Sequence, residues 1–408
     1  MLLVSEHATR LRRLLVLIHR YVGLALALFI AIAGLSGSLL VFEHELDEAI
    51  NPHLMRIQPL PGAVPVDFLK LRERVQAGYP DAKVHRMDLA SEPGKALSFR
   101  ITASGNDQVF VDPYTGRILG ERKWGDISQG MVNLMPFIYR LHQSLVLGST
   151  GTLVLGIVAL LWFLDCFVGA YLTLPSMRRR GDFGSAEIAK KKEGLLARWS
   201  AAWKVRWHGG SYKLNFDLHR AGGLWLWAML AVMAWSSVGF NLREVYRPVM
   251  ATAFTLQPSV RELPNTRPQS EPGISWYEAH RIGKTLMNVE ARTKGFAVQQ
   301  EQNLSYDAKT ALFRYRVKSD RDIRDHGGST SIWFDANTGE RKAAYIPSGE
   351  ANGDTVSGWL FALHMAAIWG LPYKLFVLVT GLVVTMLSVT GVTIWARKRS
   401  ARKKILLT

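Results

Sequence analysis

Four nearly uncharged runs constrain this chain more than anything else in its 408 residues: 14–42, 145–174, 221–240 and 375–396. Each is long enough to cross a bilayer core, which takes about 20 helical residues. The mean hydropathy of +0.06 looks ordinary only because polar stretches offset these runs. A soluble globular fold is excluded. The first run is about twice the length of a signal-peptide core and passes into Val41-Phe42-Glu43-His44-Glu45 without a small-residue cleavage site, so it reads as a retained anchor.

The net charge of +17 and pI near 10.0 would suit a nucleic-acid binder, but the charge sits beside the apolar ends. Residues 1–20, 176–220 and 397–408 hold 21 basic residues against five acidic ones, which is nearly the whole net charge. The positive-inside rule then puts both termini and the central connection in the cytoplasm, with contact to anionic lipid and not to nucleic acid. The stretches 43–140 and 243–357 fall outside.

The halves repeat. Leu17-Ile18-His19-Arg20-Tyr21-Val22-Gly23-Leu24 echoes Asp217-Leu218-His219-Arg220-Ala221-Gly222-Gly223-Leu224. His142 is followed by Gly148 as His364 is by Gly370, six residues on. Val111-Asp112-Pro113-Tyr114-Thr115-Gly116 echoes Phe334-Asp335-Ala336-Asn337-Thr338-Gly339, a tight turn closing a strand, where the aspartate is structural. The expected fold is an α-helical membrane protein of four transmembrane helices with two α+β extracytoplasmic domains. Its segments are 1–43, 44–140, 141–175, 176–218, 219–242, 243–358, 359–396 and 397–408. The outer domains carry helical spacing over 66–77 and 276–287, and strand patterns at 97–102, 108–111, 313–317 and 331–334.

His19, His142, His219 and His364 each fall at the start of a predicted span, paired by repeat and by depth. His19 and His219 share the inner leaflet, and His142 and His364 the outer. An ionisable residue in a membrane is costly and marks function. Two imidazoles on facing helices suit the axial positions of a b-type haem, and two pairs suit two haems. Zinc would need more ligands than are close in sequence. Cys166, the single cysteine, excludes a disulfide framework, an iron–sulfur cluster and thioether-attached haem. Gly23 and Gly223, one turn from the inner pair, clear space for a flat ring, whereas Gly34 and Gly37 read as helix packing.

These motifs, in this order, resemble the PepSY-associated transmembrane proteins. That family includes bacterial inner-membrane ferric-siderophore reductases and PiuB-like iron-uptake proteins, and the resemblance covers nearly the whole chain. It implies PepSY-like outer domains and a haem-dependent reductase that acts on a ferric siderophore or other ferric chelate at the periplasmic side. No G-x-G-x-x-G or P-loop is present, so the electron donor is a separate molecule, a quinol or a reduced soluble carrier. Two alternatives of other classes stand beside it: a membrane-held PepSY module that restrains a secreted peptidase, and a siderophore transport component.

Secondary candidates are Asp165, Arg140 and His44. Asp165, within span two, is open to pairing with Arg20 or Arg220, to proton uptake near the inner haem, or to a plain hydrogen bond. Arg140 is placed for a haem propionate or as an interfacial anchor. His44 leaves span one on the outer side, and a surface role is favoured over ligation. Trp199, Trp203 and Trp207, at four-residue spacing, suggest an amphipathic surface helix.

Overall fold

The computed structural model describes residues 2–58, 62–102, 105–175, 194–260 and 268–407. The chain forms two compact units, one of residues 1–41, 141–246 and 372–408, the other of 42–140 and 247–371.

The first unit is helical. Its long members are α1 (Leu2–Leu40), α6 (Gly148–Thr173) and α13 (Gly370–Leu407). All three are long and apolar enough to cross a membrane. Large apolar side chains stand exposed along them, Leu28, Leu153 and Val389 being each more than half exposed. A helix apolar on its outer side needs lipid or protein to cover it. The third run differs from a straight span. It is split into α8 (Gly210–Trp225) and α9 (Trp227–Asn241), bent by 70° at Leu226. Gly222 and Gly223 just before the break weaken the helix there. The described residues thus hold three candidate spans, or four if the bent pair counts as one.

Small residues let the helices close up. A Cβ at Gly34 would sit 2.7 Å from the Gly381 carbonyl oxygen, so α1 and α13 meet backbone to backbone, as expected for Gly34. Ser38 ties the same crossing by donating to the Leu378 carbonyl.

The three tryptophans do not share one helix. α7 is only Leu195–Trp199, and a 3₁₀ turn, Ser200–Trp203, follows. Instead Trp199 packs edge-on against Trp203 and donates to Thr173 Oγ1, binding the connection to the end of α6. Trp207 remains 65% exposed. Arg178, Arg179, Arg180, Lys190, Lys191 and Lys192 lie outside the described residues.

The second unit is built on one sheet. Short helices α2 (Glu43–Ile50) and α3 (Pro52–Met55) lead to α4 (Phe68–Gly78), then β1 (Lys83–Asp88), β2 (Leu97–Thr102), β3 (Gln108–Val111) and β4 (Ile118–Arg122). α5 (Leu134–Ser144) leads into α6, and α10 (Arg243–Ala251) leads back out. The second half repeats the order: α11 (Trp276–Lys294), β5 (Val298–Asp307), β6 (Leu312–Ser319), β7 (Thr330–Asp335), β8 (Arg341–Tyr345) and α12 (Asn352–His364). The four strand segments and two helices expected from the sequence are present, with longer bounds for α11, β6 and β7. The repeats, though, are not separate sheets. They join edge to edge through β1 and β5 into eight antiparallel strands, ordered β4-β3-β2-β1-β5-β6-β7-β8.

One face of the sheet carries the core. Val84, Met87, Phe99, Ile101, Leu304, Phe313, Tyr315, Val317 and Phe334 alternate inward and pack with Leu71 and Val75 of α4 and Met287 of α11. Gly283 lets α11 lie on the sheet, since a Cβ there would meet the Tyr315 ring at 2.8 Å. The repeated turns are structural, as read from sequence: Asp112 accepts from the Tyr114 amide and Asp335 from the Asn337 and Thr338 amides. An ion pair, Asp47 with Arg122, is buried beside β4.

Candidate functional site

Within the helical unit, α1 and α8 bring the rings of His19 and His219 next to each other. Their ring centres are 6.2 Å apart and their planes are inclined at 59°. His19 Nδ1 lies 3.0 Å from both carboxylate oxygens of Asp165 on α6. His219 Nδ1 lies 3.0 Å from the Leu387 carbonyl oxygen and from Thr390 Oγ1 on α13. A carboxylate and a carbonyl only accept, so each Nδ1 carries the hydrogen, and in the neutral imidazole that tautomer keeps the lone pair on Nε2. Among the described residues neither Nε2 takes a hydrogen bond. This is how a protein prepares an imidazole to bind a metal.

Each ring also has a glycine behind it. A Cβ at Gly169 would stand 3.2 Å from His19 Cε1, and one at Gly391 the same distance from His219 Cε1. Gly23 and Gly223 have nothing within 4 Å of a Cβ position, which leaves open space one turn from each histidine. The donor set can be tested against an axial pair. Metal–imidazole bonds of about 2 Å, with roughly 1.2 Å from nitrogen to ring centre, separate two centroids by about 6.4 Å. The observed 6.2 Å fits. Among the described residues no group of three or more His, Cys, Asp or Glu is arranged to hold a bare metal ion.

Of the options open for Asp165, the structure shows the hydrogen bond, made to His19 Nδ1 and so behind the ring, while Arg220 pairs with Asp217 at 2.9 Å.

His142 and His364 are not at the start of spanning helices. His142 lies near the end of α5 and His364 ends α12. Each is followed by a break with left-handed residues, Leu145 and Val146 after the first and Ala366 and Trp369 after the second. Such backbone costs about 1–3 kcal/mol per residue and persists where the surroundings enforce it. His142 Nδ1 is 3.0 Å from Ser36 Oγ, whose own hydrogen goes to the Ile32 carbonyl, so the imidazole donates. Gly37, expected to serve helix packing, instead faces this ring: a Cβ there would be 3.0 Å from His142 Cε1. Ser236 bonds its own helix as Ser36 does, through the Val232 carbonyl. His364 belongs to the second unit.

Arg140 binds the Gly125 carbonyl at 3.2 Å. His44 is exposed on α2.

Sequence reasoning missed Ser36, Gly169, Thr390 and Gly391 as parts of the site. A signal existed for the glycines: each lies 27 residues after the second histidine of its repeat. Likewise Ser36 and Ser236 each lie 17 residues after the first.

Helices apolar enough to cross a membrane, histidines matched between the repeats and a sheet formed from two repeats define a multi-pass membrane protein. The chain belongs to the PepSY-associated TM region family, which it matches over residues 16–398, nearly its whole length. Among curated proteins no relative matches it.

Proposed function

We propose that this protein is an inner-membrane electron-transfer protein that carries two b-type haems and reduces a ferric siderophore or other ferric chelate at the periplasmic side. The facing of His19 and His219, with both Nδ1 atoms engaged, carries this reading. A b-type haem so held supplies a one-electron couple within the membrane. His19 and His219 would hold the inner group, and His142 and His364 the outer. Asp165, Leu387, Thr390 and Ser36 fix ring orientation and tautomer. Gly169, Gly391 and Gly37 let neighbouring helices approach the rings closely.

With both termini cytoplasmic, as the basic flanks favour, electrons enter from a quinol or a reduced soluble carrier. Each Fe(III) in the chelate accepts one electron and leaves as Fe(II), a softer ion that hard oxygen chelators hold less tightly. A tethered peptidase-binding module would leave the paired intramembrane histidines without a role.

The first test is colour. Protein purified in detergent from haem-replete cells should show b-type Soret and α bands, and a colourless preparation would overturn the reading. His19→Ala and His219→Ala should lose the same haem, while His142→Ala and His364→Ala lose the other. Right-side-out vesicles supplied with quinol should release Fe(II) to an external ferrous indicator faster than vesicles carrying His364→Ala.

A further inference from the structure

The sheet face opposite the core is rich in arginine at the seam between the two repeats. Across one transverse row the register runs Arg100 on β2, Arg86 on β1, Ser305 on β5, Arg314 on β6 and Trp333 on β7. In the next row Asp88, Asn303, Arg316 and Ser331 lie side by side. Neighbouring strands are about 4.8 Å apart, and like charges directly opposite one another destabilise a sheet. Arg86 opposite Arg100 is such a pair. A bulge after Val84 puts both His85 and Arg86 off the core face.

The acidic groups nearby offset this cluster only in part. Asp88 pairs with Arg86 and Asp107 with Arg100, each at 3.6 Å, ion-pair contacts longer than a hydrogen bond. Asp322 is already saturated by Ser319, Ser329 and Thr330. Arg316 Nε is buried and takes no hydrogen bond among the described residues. Burial and mutual repulsion lower the guanidinium pKa of Arg314 to about 9 and of Arg316 to about 10. Indole rings hold two of the forks flat: Arg314 lies 4.8 Å from the Trp333 centroid and Arg100 5.3 Å from that of Trp124. Arg86 is 47% exposed and Arg100 29%, so the row is reachable. Arg314 donates Nε and Nη2 to Ser331 Oγ, which fixes its fork with Nη1 to spare. Planar, fixed guanidinium forks with donors left over are the usual receptors for carboxylates.

We propose that Arg86, Arg100, Arg314 and Arg316 form a binding site for a small polyanionic, carboxylate-bearing ferric chelate, with both repeats contributing donors. The choice of a ferric chelate as the anion rests on the reductase reading; the anion site itself does not. It predicts a preference for negatively charged chelates over neutral ones.

Gallium(III) citrate is the probe, because Ga(III) mimics Fe(III) in charge and coordination but is not reduced under these conditions. Binding is then read whether or not the protein is a reductase. Full-length protein in zwitterionic nanodiscs is studied by equilibrium dialysis. Wild type should bind gallium citrate, more weakly as salt rises, and a neutral gallium trihydroxamate should bind at least tenfold less tightly. Arg316→Gln and Arg86→Gln should each weaken citrate binding about tenfold or more, as loss of a charge-assisted contact does. Arg86→Lys, which keeps the charge, should retain most of the affinity, and Arg281→Gln on α11 should change nothing. Retained binding in both glutamine variants, or no binding by wild type, overturns the proposal. Abolition of citrate binding by phosphatidylglycerol in the disc assigns the row to lipid headgroups and overturns it equally. Reduction of a neutral ferric chelate without citrate binding would sink this proposal and spare the reductase reading.

Discussion

Replacing Asp165 by asparagine isolates the charge behind His19. Asparagine Oδ1 still accepts from the Nδ1 hydrogen, so the ring keeps its orientation and only the negative charge is removed. A carboxylate oxygen 3.0 Å from Nδ1 lies about 7 Å from a metal bound at Nε2, allowing for the ring and a bond of about 2 Å. At an effective dielectric constant of about 20, a unit charge at that distance contributes roughly 2.4 kcal/mol, or about 100 mV for one electron. The oxidised state carries the extra positive charge and is the one Asp165 stabilises. Its loss must therefore raise the midpoint potential. Spectroelectrochemical titration of Asp165→Asn should show one b-type couple moved up by about 100 mV and the other unmoved. Thr390→Val, behind the opposite ligand, should shift the same couple far less, because the Leu387 carbonyl remains as acceptor. A shift below about 20 mV, or equal shifts in both couples, would refute the reasoning.

Gly169→Leu drives a side chain into the His19 ring, whose Cε1 lies 3.2 Å from a Cβ at that position; pyridine haemochrome assay should find about half the haem of wild type, with the outer couple intact. Asp47→Ala leaves Arg122 buried without its bidentate partner, a loss of about 3–5 kcal/mol that should lower the thermal midpoint of the sheet unit by about 10 °C. Burial alone would raise the Glu301 carboxyl, but hydrogen bonds from His280 and Lys284 outweigh it and hold it at about 2. A depressed carboxylate stabilises the fold above its unfolded value and loses that contribution as pH falls through the folded one. Acid unfolding between about pH 4.5 and 2 should therefore be less steep in Glu301→Gln, by on the order of 3 kcal/mol over the interval, as circular dichroism would report.

What the sequence disclosed was local and periodic. The apolar runs, the repeated His-Arg elements and strands β2, β3, β6 and β7 each declare themselves within a short window. Strand β1 escaped because its bulge puts His85 and Arg86 on one side and breaks the alternation. Strand β5 escaped because Gln299, Gln300, Glu301 and Gln302 read as loop until β6 pairs alongside them. The inner site was half legible. The histidines showed by repetition, but Asp165 lies 146 residues from its partner and has no counterpart in the other half. The breaks after α5 and α12 were invisible, since apolar composition continues straight through them. The bend at Leu226 was hidden for the same reason.

The junction of β1 with β5 has a meaning for how such a molecule is assembled. Corresponding strands of the two repeats pair antiparallel, Met87 opposite Leu304, as two copies related by a dyad would. A half-length polypeptide would therefore present an open, bondable strand edge, and satisfying it would require a second half-length polypeptide. Covalent linkage turns that encounter into an intramolecular one and frees the halves to diverge. One copy now has Asp165 behind its histidine where the other has a main-chain carbonyl. A strictly symmetric dimer, obliged to place the same residue at both positions, could not set the two sides of its histidine pair differently.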